Sequence, residues 1–89
     1  MARRILSERQ RRQRTRLLGE GRRFGLRIKH FRAIAAAAKP LKAQGLSNEQ
    51  IAKRLRNDGT LGIDWTKFDF EKWLAFVLKW LPVILALFA

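Results

Sequence analysis

The chain has 89 residues, and its 20 Lys and Arg side chains against seven acidic ones give it a formal net charge of +13. A chain of this length holds one small domain with a modest core, which argues against a deep enzyme pocket. It has no cysteine, which excludes disulfides, thiolate metal sites and a cysteine nucleophile. Its one histidine cannot form a zinc site alone. No nucleophile has a histidine and an acid at catalytic spacing, so we expect no catalytic residue, no cofactor and no metal.

The positive charge is concentrated near the N-terminus. Residues 1–32 hold twelve of the 20 basic side chains, and eleven of those twelve are arginine. The guanidinium group binds phosphate oxygens with two parallel hydrogen bonds, so the expected partner is a polyanion, either nucleic acid or anionic lipid headgroups. The candidate phosphate-binding residues are Arg3, Arg4, Arg9, Arg11, Arg12, Arg14, Arg16, Arg22, Arg23, Arg27, Lys29 and Arg32.

The arginine-rich arm, residues 1–32, contains one helix signal. Ser7 followed three residues later by Gln10 has the spacing of a capping box and predicts a helix over about 7–18, which Gly19 and Gly21 would end. The segment "RRQRTR" resembles the arginine-rich motifs that fold on RNA or DNA. The alternative is a disordered basic tail.

A second helix is predicted over about 23–38. Apolar residues recur there at helical spacing, and the alanine run at 35–38 favours a helix over a strand. Pro40 predicts a break near Lys39 and a short helix over 40–44. Ser47 is a natural N-cap for a further helix over about 47–58, and Leu46 before it is placed to form a hydrophobic staple with Ile51.

The segment "LKAQGLSNEQIAKRL", residues 41–55, resembles the first two helices of helix-turn-helix domains, especially those of LuxR-type response regulators. In that family a further helix enters the DNA major groove. Residues 59–64 occupy its place here and are turn-like, so the reading helix is missing. Residues 33–63 are therefore predicted to form a small helical hairpin.

The C-terminal segment, residues 64–89, is predicted to be a membrane anchor. A last helix over 65–89, capped by Asp64 or Thr66, carries no charge after Lys79, and residues 73–89 are just long enough to span a bilayer. The rest of the chain offers little apolar surface to cover it, although a protein groove is the alternative. The predicted membrane residues are Trp73, Phe76, Val77, Trp80, Leu81, Val83, Ile84, Leu85, Leu87 and Phe88.

The combined prediction is an all-α, extended, non-enzymatic structural protein that binds a lipid membrane by its C-terminus and nucleic acid or anionic lipid by its N-terminus. This layout resembles small minor virion proteins of phages with an internal membrane. The resemblance implies a larger assembly with capsid or other membrane proteins, in the virion inner membrane or the host cytoplasmic membrane, with the N-terminus on the genome or cytoplasmic side. A phage lysis peptide and a membrane-tethered helix-turn-helix protein are the alternatives.

Overall fold

Four α-helices account for most of the computed structural model, which describes residues 7–89. They are α1 (Glu8–Arg22), α2 (Ile28–Ala43), α3 (Asn48–Arg56) and α4 (Phe70–Phe88), and two 3-10 turns, Gly59–Leu61 and Trp65–Lys67, join α3 to α4. The all-α class is confirmed. The radius of gyration is 12.8 Å, near the roughly 12 Å of a compact domain of this length. The predicted extended shape is therefore wrong.

Helix α4 lies at the centre of the fold, packed against α1, α2 and α3. Six of its side chains form the middle of the core: Trp73, Phe76, Val77, Trp80, Leu81 and Ile84. The other helices contribute Leu17 from α1, Phe31, Ile34, Ala35 and Ala38 from α2, and Ile51, Ala52 and Leu55 from α3. One apolar face of each helix is thus buried against the same central helix.

The predicted membrane anchor is wrong, and so is the membrane localisation that was inferred from the anchor. Of the predicted membrane residues, the six named above are buried in the core, and Val83, Leu85, Leu87 and Phe88 are half-buried. Small side chains also cover α4: Ala35, Ala38 and Ala52 are fully buried, and their size lets the large α4 residues approach closely. Among the helices formed by residues 7–89, none combines the length and apolar character needed to cross a bilayer.

The tryptophan at the start of α4 shows how the core accommodates a polar group. The indole Nε1 of Trp73 donates a hydrogen bond to the carbonyl oxygen of Ala52, 2.9 Å away. Trp65 and Phe68 pack edge-on against its ring, with centroids at 4.8 and 5.3 Å. An indole of the kind that suits a membrane interface is here satisfied inside the protein.

Helix α1 is longer than predicted, and helix α2 begins and ends later than predicted. Helix α1 continues through Gly19 and Gly21 to Arg22, and α2 begins at Ile28 and continues through Pro40 to Ala43. Proline removes the hydrogen bond to the carbonyl four residues earlier, that of Ala36. Ala36 and Pro40 are both exposed, so water can donate a hydrogen bond to the Ala36 carbonyl. The predicted break at Lys39 therefore does not occur.

The last two helices begin at side-chain caps. The predicted N-cap at Ser47 is confirmed, because its hydroxyl accepts the Gln50 N–H at 3.2 Å and the Gln50 side chain accepts the Ser47 N–H at 2.9 Å. Asp64 caps the short turn Trp65–Lys67 instead of the last helix. That helix, α4, starts later, at Phe70, and its N-cap is Asp69, whose carboxylate accepts the Lys72 N–H at 2.7 Å.

Candidate nucleic-acid interface

The first half of α1 leaves the core. The predicted capping box at Ser7 is confirmed: its hydroxyl accepts the Gln10 N–H at 3.2 Å, and the Gln10 side chain accepts the Ser7 N–H at 3.0 Å. No residue of α1 is buried before Leu17. Within the described chain, the side-chain hydrogen bonds of residues 7–16 all stay inside this helix. About 13 Å of helix therefore has no buried side chain.

The arginines of α1 form two rows along the helix, because each residue is rotated by about 100° from the one before. The first row is Arg9, Arg12 and Arg16, and the second row is Arg11, Arg14 and Arg22. Between the rows lies a strip that contains Thr15 and Gly19, on the side of the helix opposite the buried Leu17 and Gly21. Arg14 is half-buried and the other five arginines are exposed. The rows thus flank a strip that points away from the core.

One acidic residue, Glu8, lies at the N-terminal end of the strip. Its carboxylate pairs with the Arg12 guanidinium at 2.8 Å, and both side chains are about four-fifths exposed (81% and 78%). A carboxylate in the first turn also compensates the helix dipole. Because the pair is exposed, it contributes little to stability and leaves Arg12 able to exchange Glu8 for another anion.

The second half of α1 is fixed to α4 by a polar contact. The Glu20 carboxylate accepts hydrogen bonds from Lys79 Nζ, at 2.8 Å, and from Trp80 Nε1. The hydrogen bond from Lys79 lowers the pKa of Glu20 below its ordinary value, and the Trp80 indole lowers it further against the opposing effect of burial. The contact joins the second half of α1 to α4, with the arginine rows directed outward.

A glycine brings α1 close to α2. A Cβ placed on Gly21 would lie 2.5 Å from Cζ of Phe31. The Phe31 ring is fully buried, with Phe76 and Phe88 stacked beside it at 6.4 and 5.7 Å. The ring has little room to move, so the helix contact requires glycine at position 21.

A groove of about 730 Å³ separates the end of α1 from the start of α2. Its basic side chains are Arg22, Arg27 and Lys29, and its apolar ones include Leu18 and Leu26. The first turn of α2 has no acidic residue. Positive side chains from two helices therefore meet here, which extends the basic surface of the second row onto α2.

His30 holds the start of α2 in place. Its Nδ1 accepts the backbone N–H of Arg27 at 2.9 Å, so its other ring nitrogen, Nε2, carries the hydrogen and donates to the carbonyl oxygen of Gly62 at 3.2 Å. The side chain is buried. The lone histidine is thus a structural cap that ties α2 to the turn after α3.

The structure brings together most of the predicted phosphate-binding residues, with Arg22 shared by the second row and the groove. Arg23 lies at the end of α1, and Arg32 is exposed on α2. Arg3 and Arg4 fall outside the described residues. Glu20 and Gly21, which position the helix, were not among the predicted site residues. The predicted set also does not include the exposed Lys53, Arg54 and Arg56 on α3, where the Arg56 guanidinium stacks on Phe70 at 5.5 Å.

The geometry around residues 41–55 offers no base-reading helix. After α3 come the two 3-10 turns, and the next helix, α4, is packed against the other three helices with six of its side chains buried. A helix enclosed in this way does not project for insertion into a DNA groove. The resemblance of this segment to LuxR-type domains stays a prediction.

Within residues 7–89, no group of three His, Asp or Glu side chains is placed to hold a metal ion. Asp58 and Asp64 instead cap the turns that follow them, and hydrogen bonds from Thr60 and Thr66 lower the pKa of these carboxyls. Comparison with protein-family models, curated proteins and solved structures finds no match to this chain. The function is therefore inferred from the geometry of the basic surface.

Proposed function

We propose that this protein binds nucleic acid through phosphate contacts from α1 and does not read the base sequence. The observation that carries the proposal is the pair of arginine rows on a helix that has no buried residue before Leu17. Guanidinium groups match phosphate oxygens in geometry and charge. The net charge of +13 adds long-range attraction to any polyanion.

The absence of sequence reading follows from the side chains available. Contacts from arginine to phosphate fix position and carry no sequence information. Between the rows, the hydroxyl of Thr15 donates its hydrogen to the carbonyl oxygen of Arg11 at 3.0 Å, so that donor is already used. Binding that rests on phosphates is expected to tolerate any sequence.

Nucleic acid is favoured over anionic lipid by the composition of the projecting segment. Helices that bind membrane surfaces bury an apolar face among the lipid chains. Residues 8–16, "ERQRRQRTR", contain no apolar side chain. The segment offers charge and hydrogen bonds on every side, which suits an aqueous polyanion.

The setting we propose is nucleic-acid packaging, in keeping with the resemblance to minor virion proteins. That resemblance has two parts, a membrane anchor and a genome-binding arm. The predicted anchor is wrong, so the proposal keeps only genome binding. Co-purification of the protein with packaged genome, lost after nuclease treatment, would support this setting. Retention by protein shells that contain no nucleic acid would contradict it.

The test is the salt dependence of binding to a labelled DNA duplex of mixed sequence, followed by fluorescence anisotropy. If about six phosphates are neutralised, log K should fall with log salt at a slope near −5, and a scrambled duplex should compete equally. Replacing Arg11 and Arg16 with Gln should flatten that slope by about 2.

The matched control removes the same charge from α3. The double variant Lys53→Gln, Arg54→Gln loses two exposed positive charges at a different face, and its slope should stay near that of the parent protein. Equal effects of the two variants would show that net charge alone, and not α1, drives binding. Affinity that salt does not change, or binding only to anionic vesicles, would overturn the proposal.

A further inference from the structure

The two arginine rows raise the question of how a polyanion reaches both. A helix that lies along one phosphate strand needs basic side chains on a single face. In α1 the first row (Arg9, Arg12, Arg16) and the second row (Arg11, Arg14, Arg22) stand on either side of the outward strip. Two rows separated in this way match two phosphate strands, one on each side of the helix.

Gly19 in the strip is unexplained by the fold. It lies inside α1, where glycine weakens a helix relative to alanine. A Cβ placed on Gly19 would meet nothing within 4 Å, in contrast to the tight contact that requires glycine at position 21. A glycine that no packing requires, on the outward strip, leaves the backbone bare for close approach of a ligand.

We propose that α1 lies in the major groove of duplex DNA, with one arginine row on each phosphate strand and with Thr15 and Gly19 over the groove floor. This inference rests on the proposed function and specifies its substrate class. Because the strip is opposite the buried Leu17 and Gly21, the globule does not obstruct the helix from entering the groove.

The dimensions select duplex DNA among nucleic acids. An α-helix with its side chains is about 10–12 Å across. The major groove of B-form DNA is about 12 Å wide and the minor groove about 6 Å, so only the former admits a helix. The major groove of A-form RNA is deep and narrow. A single strand has no second wall for the second row of arginines.

The acidic residue in the strip is compatible with this placement. Glu8 lies in the first turn, at the end of the strip, and is paired with Arg12 of the first row. Groove phosphates would compete with Glu8 for that guanidinium. We therefore expect Glu8→Gln to strengthen duplex binding, because the substitution frees Arg12 and removes a negative charge.

The first experiment compares the two rows. Arg12→Gln with Arg16→Gln, and separately Arg11→Gln with Arg14→Gln, are measured on a DNA duplex about 20 base pairs long. Each pair should flatten the salt slope by about 2, and both should weaken binding by similar factors. A loss confined to one row would overturn groove insertion and leave the proposed function standing.

The second experiment uses the glycine. Gly19→Leu should raise the melting temperature, since leucine favours a helix, and should weaken duplex binding by about tenfold or more through the lost close approach. Ala36→Leu, which places the same leucine side chain at an exposed position of α2, should leave affinity unchanged. Unchanged duplex affinity in a folded Gly19→Leu protein would overturn the inference.

The third experiment identifies the groove and the substrate. Bound protein should protect guanine N7, in the major groove, from methylation by dimethyl sulfate, and leave adenine N3, in the minor groove, reactive. Duplex DNA should bind more tightly than duplex RNA or single-stranded DNA of the same sequence at equal salt. Protection at adenine N3 alone, or preference for RNA or a single strand, would overturn groove insertion. Failure of every nucleic acid to bind would instead overturn the proposed function.

Discussion

Helices α1 and α4 contain the most basic and the most apolar segments of the chain, and the two segments lie in opposite environments. Residues 8–16 of α1 contain five arginines and no apolar side chain, and they extend into solvent. Residues 80–89 of α4 contain no charge, yet this helix forms the centre of the core. Both segments needed a partner. The 20 basic side chains of the protein far outnumber its seven acidic ones, so most of these arginines need an external anion. An apolar helix, in contrast, can be covered by any apolar surface, including the protein's own.

The largest effect expected from this comparison concerns the centre of α4. Trp73→Ala should lower the free energy of unfolding by about 3–5 kcal/mol, because it leaves a cavity and removes the hydrogen bond from the indole to the Ala52 carbonyl. Urea unfolding followed by circular dichroism measures this loss. The matched control is Leu78→Ala on the same helix, where the side chain is 48% exposed and the loss should be below about 1 kcal/mol. Equal effects would mean that α4 does not pack as described.

The two glycines of α1 sharpen the contrast between its inner and outer faces. Gly21→Ala should destabilise the fold by about 1–3 kcal/mol, because the added Cβ meets the buried Phe31 ring. Gly19→Ala should stabilise it by up to about 1 kcal/mol, since nothing lies within reach and alanine favours a helix. Thermal unfolding of both variants tests the difference in sign, and two losses of similar size would contradict it.

The two serine caps compare the same local signal in two settings. Ser7 and Ser47 make equivalent capping boxes, one on the projecting half of α1 and one at the start of the packed helix α3. Ser47→Ala should cost about 1 kcal/mol of global stability. Ser7→Ala should lower helix content and leave the midpoint of global unfolding nearly unchanged, because the affected turn is outside the core. A global loss from Ser7→Ala that matches the Ser47 variant would show that residues 7–16 are part of the cooperative core.

These elements show which features the sequence could predict. The caps at Ser7 and Ser47 are local hydrogen-bonding patterns, and the exposed arginines follow from charge density alone. The burial of α4 could not be predicted from the sequence, because it depends on alanines such as Ala35 and Ala52 that are distant along the chain. These alanines cover α4 only once the helices are packed together. Gly21 could have been interpreted as a close helix contact, but the position of Phe31 was needed to distinguish it from Gly19.

The smallest expected effect is the dependence of stability on pH through the contact that joins α1 to α4. Since the hydrogen bond from Lys79 lowers the pKa of Glu20 in the folded protein from its ordinary 4.5, the stabilisation is present above about pH 4.5 and is lost as the pH falls through the lower folded value. The carboxylate is 38% exposed, so the loss should be below about 1 kcal/mol.

Urea unfolding between pH 7 and pH 3 measures this dependence. Glu20→Gln should remove part of it, while Asp58 and Asp64, whose pKa values are also lowered, keep the remainder. A Glu20→Gln protein with an unchanged pH profile would show that the contact with Lys79 and Trp80 does not hold α1 on the globule.

Amide hydrogen exchange with and without duplex DNA tests the central claim most directly, because one measurement reports on both helices. In the free protein, α4 amides should be protected to the level of global unfolding, and amides of residues 8–16 should exchange quickly. Added DNA should slow exchange at residues 8–16 and leave α4 unchanged. Rapid exchange in α4 of the free protein, or residues 8–16 that DNA does not protect, would contradict the account.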